Sequence, residues 1–199
     1  MKSHSLRTSG VDKTNPHGLR SILRKHKAII TRLRHLRRYK GEPERPNIVH
    51  IGITDKCNMK CPNCLYRNDN KNFKIISADK ATSLIKEIDS PIVLLSGGEP
   101  LLGGEILETT RRIAKISRES GKITGILTNG TTLKKVVMNN FPEFRPGSGF
   151  FFQISVDGLK DTHNSLRGNF DQIIANIRFA KDAGHLIYTN TVVSKQNID

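Results

Sequence analysis

Three cysteines, Cys57, Cys61 and Cys64, share one short stretch with the spacing C-x3-C-x2-C, and the sequence has no other cysteine. An odd, tightly clustered set is a poor disulfide framework. Met1 to Gly10 is polar and lacks the apolar region of an export signal, so a reducing, cytoplasmic setting is expected. Thiols this close suit metal ligation. Three thiolates on one tight loop can each hold one iron of a cubane cluster, leaving the remaining iron open to an exogenous ligand. Soft thiolates also suit zinc. A Cys3His zinc site needs a nearby histidine, and the closest is His50, upstream within a predicted strand. Zinc modules usually carry a second ligand pair at a fixed offset, and none is present. By itself the motif leaves iron–sulfur, zinc and inert thiols open.

The elements around the motif say where it sits. Ile48–Thr54 is β-branched and mostly apolar and reads as a buried strand. Further strands are predicted at Ile92–Leu95, Ile123–Thr128, Phe150–Val156 and Leu186–Val193. Helices are predicted between them. One runs from a Ser77 cap to about Ile88, with Leu84, Ile85 and Ile88 inward. Glu105–Ser120 is closed by Gly121, and Thr132–Asn140 is shorter. Phe170–Ala183 has Ile173, Ile174, Ile177 and Ala180 inward. Phe141 to Gly149 reads as the loosest connection. Alternating strands and helices imply a parallel sheet with right-handed crossovers, either open or part of a barrel. Ligands in such folds lie beyond the carboxyl ends of the strands. The three cysteines follow the first strand, and Gly97-Gly98-Glu99-Pro100 follows the second. Thr128-Asn129-Gly130 ends the third, Ser155-Val156-Asp157-Gly158 ends the fourth, and Asn190 lies on the fifth. All therefore fall at one sheet edge, as one site built from several loops.

In order, spacing and strand placement these four motifs resemble the radical S-adenosylmethionine (radical SAM) superfamily over about residues 47–199. The resemblance implies an α/β partial (β/α) barrel of about five strand–helix units. It implies that Cys57, Cys61 and Cys64 bind a [4Fe–4S] cluster whose open iron is chelated by SAM. Reduction would cleave SAM to methionine and a 5′-deoxyadenosyl radical, which abstracts hydrogen from a substrate. Gly97 to Pro100 would hold the SAM amine, with backbone carbonyls and the Glu99 carboxylate as acceptors. Ser155 and Asp157 would line the pocket near the ribose or carboxylate. Thr128 and Asn129 would face the same pocket, Arg167 would clamp the carboxylate, and Asn190 would touch the nucleoside. Plainer readings stand beside these: turns at Gly97-Gly98, Asn129-Gly130 and Asp157-Gly158, and a solvated loop arginine at Arg167. His163 reads as a loop residue. Two departures matter. The residue before the third cysteine is Asn63 instead of the usual aromatic, although Tyr66 is close. The chain also reaches Asn197-Ile198-Asp199 where a further helix is expected, so the core reads as minimal, completed by a partner, or a fragment.

Charge marks off the remainder. The 199 residues carry a formal net charge of +15. Residues 1–50 hold 13 Lys/Arg against 3 Asp/Glu, which sets residues 1–46 apart as a basic extension. Leu19–Lys40 has the helical apolar period, with Arg20, Arg24, Lys25, Arg32 and Arg37 over its other faces. Such a helix packs on the domain, meets anionic lipid at a membrane surface, or binds nucleic acid. Its near lack of aromatics disfavours base stacking. No apolar run approaches the ~20 residues of a membrane span. Expected partners are an external one-electron reductant of flavodoxin or ferredoxin type and a small-molecule, lipid or peptide substrate. Two other readings compete: an inactive or truncated SAM-binding core, and a zinc-stabilised nucleic-acid-binding module.

Overall fold

The computed structural model describes residues 46–66, 73–147 and 149–198. The helix expected over Leu19–Lys40 lies outside the described residues. Five strands form one sheet: β1 (Ile48–Gly52), β2 (Ile92–Ser96), β3 (Ile123–Thr128), β4 (Phe150–Ser155) and β5 (Ile187–Asn190). Their spatial order is their chain order, and every adjacent pair is parallel. Each return between strands therefore crosses over, and helices supply the crossovers. These are α1 (Ala78–Glu87), α2 (Gly104–Glu119), α3 (Leu133–Met138), α4 (Lys160–Leu166) and α5 (Phe170–Asp182). The architecture is the parallel α/β sheet expected from the strand–helix rhythm, in the partial-barrel form that the resemblance implies. Among the described residues no helix is long and apolar enough to cross a membrane.

The register explains the core. Val93 and Leu95 on β2, Ile126 on β3, and Phe152 and Ile154 on β4 point to one face and are buried. That face packs on Ile85 of α1, Ile113 and Ala114 of α2, Leu133 of α3 and Ile173 of α5. On the opposite face His50, Leu94, Gly125 and Phe151 are register partners across four strands. The Phe151 ring lies over Gly125, where a Cβ would fall 2.3 Å from its Cζ. Phe151 meets Tyr188 of β5 edge-on, with ring centroids 5.2 Å apart.

Three details depart from the sequence reading. Leu84, expected inward, is exposed, because the α1 stripe runs through Ala81, Thr82 and Ile85. The loose connection after α3 contains a 3-10 turn, Pro142–Phe144, whose Phe144 ring stacks on Phe150. Helix α4 forms where the sequence suggests a loop: its polar stretch KDTHNSL has no apolar period, and tertiary contacts of His163 and Leu166 bury its inner side.

Phe152→Ala, which empties a fully buried site, is expected to cost about 3–5 kcal/mol in urea unfolding. Phe151→Ala, on the half-buried face, should cost markedly less. Equal losses would contradict the assignment of faces.

Candidate cofactor site at the carboxyl edge of the sheet

The cysteine loop leaves the end of β1 and is fixed there by backbone. Ile53 donates to the Ser96 carbonyl at 2.8 Å, Gly98 N–H to the Thr54 carbonyl at 2.7 Å, and Glu99 N–H to the Lys56 carbonyl at 2.8 Å. These bonds lay the Gly97-Gly98 turn directly on residues 54–56. A Cβ at Gly97 would fall 2.3 Å from the Thr54 carbonyl oxygen, and one at Gly98 would fall 2.2 Å from that of Lys56. Only glycine permits so close an approach, and Gly97 also has φ +132°. The far side of the loop is tied as well, since Thr54 Oγ1 donates to Lys74 O and Lys74 N–H to Asp55 Oδ1.

Glu99 takes a different part from the ammonium contact expected of its carboxylate. It is fully buried. Oε1 accepts from Leu101 N–H at 2.9 Å and Thr128 Oγ1 at 2.7 Å, and Oε2 accepts from Asn129 N–H at 2.8 Å. Burial raises its pKa to about 6, and the bonds from Asn129, Thr128 and Leu101 hold it from rising further. Thr128 is likewise engaged internally, accepting from Gly130 N–H. Glu99 and Thr128 are thus the frame of the pocket. Pro100 is buried behind them, its carbonyl accepting from Thr110 of α2.

Asn129 carries that frame to the cysteines. Its Nδ2 donates to Asn58 Oδ1 at 2.9 Å and lies 3.7 Å from Cys57 Sγ. Its Oδ1 accepts from Thr131 N–H and Oγ1, and Thr131 Oγ1 accepts in turn from Asn58 Nδ2. Backbone N–H groups of Met59 and Tyr66 point at Cys57 Sγ and Cys64 Sγ, each at 3.4 Å. Burial pushes the Cys57 and Cys61 thiols up, and the Arg167 guanidinium opposes this at Cys61. Among the described residues no three His, Cys, Asp or Glu side chains converge as a metal cage. The donor chemistry nevertheless suits a thiolate-held iron–sulfur group: sulfur donors on one loop, with N–H groups directed at two of them. His50, the candidate fourth zinc ligand, projects from the middle of β1 and is exposed.

The opposite wall comes from β4 and α4. Asp157, just past β4, accepts from Val192 N–H on Oδ1 and pairs through Oδ2 with Arg167 Nε. Among the described residues the two terminal nitrogens of Arg167 have no acceptor. Asp157 and Arg167 line a cavity of about 280 Å³ together with Cys61, Cys64 and Tyr66. Arg167 is therefore a held wall residue and not a solvated one. Tyr66 turns back over the end of β1, its hydroxyl 3.8 Å from where a Gly52 Cβ would be; Asn63 lines the same cavity. Ser155 and Asn190 are register partners at the rim, half-buried and exposed respectively.

The structure adds one residue to this site and places another differently from the sequence expectation. Asn176 of α5 is buried and donates to the carbonyls of Gly130 and Thr131, fixing the third loop from behind. A polar residue between Ile173 and Ala180 on the inward stripe was its signal. His163 is fully buried in α4 instead of lying in a loop.

A buried carboxyl with a raised pKa binds its proton more tightly when folded. Its effect on stability is therefore most favourable below pH 4.5 and is lost as pH rises toward 6. That loss amounts to about 2 kcal/mol. Glu99→Gln sets an NH2 group against at least one of three donors, at a cost of about 1–3 kcal/mol. Its urea midpoint should be lower than wild type and flatter across this pH window; parallel profiles would contradict the role given to Glu99.

A family model of the radical SAM superfamily matches residues 51–199. Fe-coproporphyrin III synthase of Methanosarcina barkeri is 27% identical over 158 residues, covering 76% of this chain and 38% of that protein. GTP 3′,8-cyclase of Petrotoga mobilis is 30% identical over 157 residues, 74% of this chain and 47% of that protein. The solved structure of Streptococcus suis SuiB bound to precursor peptide SuiA aligns with a TM-score of 0.64 at 20% identity, covering 98% of this chain and 42% of that one. At that identity it speaks for the fold. The chain spans less than half the length of these relatives. With the cysteine loop, the Gly97-Gly98 turn and the Asp157–Arg167 wall on one sheet edge, the chain belongs to the radical SAM superfamily, a family of enzymes built around SAM and an iron–sulfur cluster.

Proposed function

We propose that this chain is the radical-generating core of a radical SAM enzyme, with Cys57, Cys61 and Cys64 holding a [4Fe–4S] cluster beside bound SAM. One observation carries the reading. The parallel register brings the cysteine loop, the glycine turn and the Asp157–Arg167 pair to one sheet edge, where Cys61, Cys64 and Arg167 line one cavity and, among the described residues, the terminal nitrogens of Arg167 have no acceptor. Such a cluster, held by the three cysteines and reduced, would supply the electron for cleaving SAM to methionine and a 5′-deoxyadenosyl radical able to take hydrogen from substrate.

The chain's own residues bind and orient. The backbone carbonyls of the half-buried Gly97 and Gly98 suit the methionyl ammonium as acceptors. The terminal nitrogens of Arg167 suit its carboxylate bidentately, because Nε is already held by Asp157. Ser155 and Asn190, side by side at the rim, suit the ribose hydroxyls. Glu99, Pro100, Thr128 and Asn129 stiffen the loops that present these groups. The electron comes from an external one-electron reductant of flavodoxin or ferredoxin type. The matched enzymes include an Fe-coproporphyrin III synthase and a GTP 3′,8-cyclase. A core common to them supports the shared radical step and not any one substrate.

Anaerobic reconstitution should load about four irons with matching sulfide per chain. Dithionite reduction should then give a paramagnetic signal that changes when SAM is added. Cys61→Ala should lose most of both. Stoichiometric zinc without sulfide, or a cluster signal indifferent to SAM, would overturn the proposal.

A further inference from the structure

His163 lies in the polar helix α4 yet is fully buried, and both ring nitrogens are engaged. Nδ1 accepts from the backbone N–H of Asp157 at 3.1 Å, so it carries no proton. Nε2 therefore carries the proton and donates to the Gly168 carbonyl, also at 3.1 Å. The ring meets Phe170 edge-on, with centroids 5.5 Å apart. A phenylalanine would fill this apolar place without needing two partners. The imidazole does what a phenyl ring cannot: it bridges the chain just past β4 to the turn that ends α4.

Arg167 stands between the two anchor points. Its N–H donates to the His163 carbonyl at 2.7 Å, and Gly168 N–H donates to the same carbonyl at 3.3 Å. At one end the ring holds the backbone of Asp157, whose carboxylate takes Arg167 Nε. At the other end it holds the residue after Arg167. Asn197 Nδ2 braces the Asp157 carbonyl at 3.0 Å, so this strand end is fixed from the β5 side as well.

We propose that His163 is a positioning residue that sets the Arg167 guanidinium against the cysteine wall of the cavity, and that SAM affinity depends on it through Arg167. This rests on the reading that Arg167 receives the SAM carboxylate. His163 touches neither cofactor nor substrate. Its effect is geometric, because a guanidinium aimed by one side-chain bond and two backbone anchors can be misaimed by removing one anchor.

The test is a double-mutant cycle on SAM affinity, measured by anaerobic calorimetry on the cluster-reconstituted chain, with melting temperature and iron content followed for each variant. His163→Phe keeps a planar aromatic ring, somewhat larger than imidazole, and removes both bonds; it should weaken SAM binding tenfold or more. His163→Asn keeps an acceptor near the Nδ1 position and should recover part of that loss. Arg167→Ala should weaken binding as well, and adding His163→Phe to it should change affinity by less than about twofold. A purely structural histidine would lower melting temperature without this coupling. Wild-type affinity in His163→Phe beside a weakened Arg167→Ala would overturn the proposal alone, as would losses that multiply. Unchanged affinity in Arg167→Ala would overturn both the proposal and the Arg167 reading beneath it. If His163→Phe does not fold, His163→Gln carries the same comparison, since it keeps a donor for Gly168 and loses the acceptor for Asp157.

Discussion

The site depends on one buried carboxylate. Glu99 has no exposed surface, and its oxygens accept from the backbone of Leu101 and Asn129 and from the Thr128 hydroxyl. A charge so placed is costly unless its acceptor positions are filled. Filling them fastens the loop after β2 to the loop after β3. Backbone bonds from Gly98 and Glu99 fasten the same loop to the approach to Cys57. Three neighbouring strand ends thus share one junction. The glycines are part of that constraint, because the Thr54 and Lys56 carbonyls occupy the space a side chain would need.

A second junction closes the other side of the cavity. Asp157 joins the end of β4 to Val192 beyond β5 and to Arg167 beyond α4, and His163 ties the same segment to Gly168. The two junctions have opposite electrostatic consequences for the cysteines. Burial raises the Cys57 and Cys61 thiols first of all; Glu99 adds to the rise at Cys57, and Arg167 opposes it at Cys61. The cysteine loop thus lies between a fixed anion behind one thiol and a fixed cation before another. Both charges sit on side chains whose geometry is set by several bonds, which is the preorganisation a cofactor pocket needs.

The site also separates framing residues from presenting ones, within single motifs. In Gly97-Gly98-Glu99-Pro100 the two glycines are half-buried at the sheet edge and lie on residues 54–56, while Glu99 and Pro100 are buried. In Thr128-Asn129-Gly130 the threonine is internal and the asparagine reaches Cys57. Motif residues adjacent in sequence therefore do different work, and a substitution at Glu99 acts on the pocket through the loops it joins.

The sequence by itself determined the strand–helix order, the parallel sheet and the convergence of the motifs on one edge. These follow from local periodicity and from the geometry of crossovers, both written in apolar spacing. It marked the cysteine motif for the same reason, since ligand spacing is a local property. Tertiary structure alone decided which way the polar side chains point. Glu99 turned inward because three donors from two loops meet it, and those donors lie up to 30 residues away along the chain. Helix α4 and the burial of His163 were hidden because KDTHNSL has no apolar stripe; contacts with Asp157, Gly168 and Phe170 order it. Leu84 shows the converse case, an apolar residue at inward spacing that faces solvent because α1 is rotated toward Ala81 and Ile85. Periodicity assigns a stripe to a helix, and only packing against neighbours sets the rotation of that stripe and supplies the partners of a buried charge.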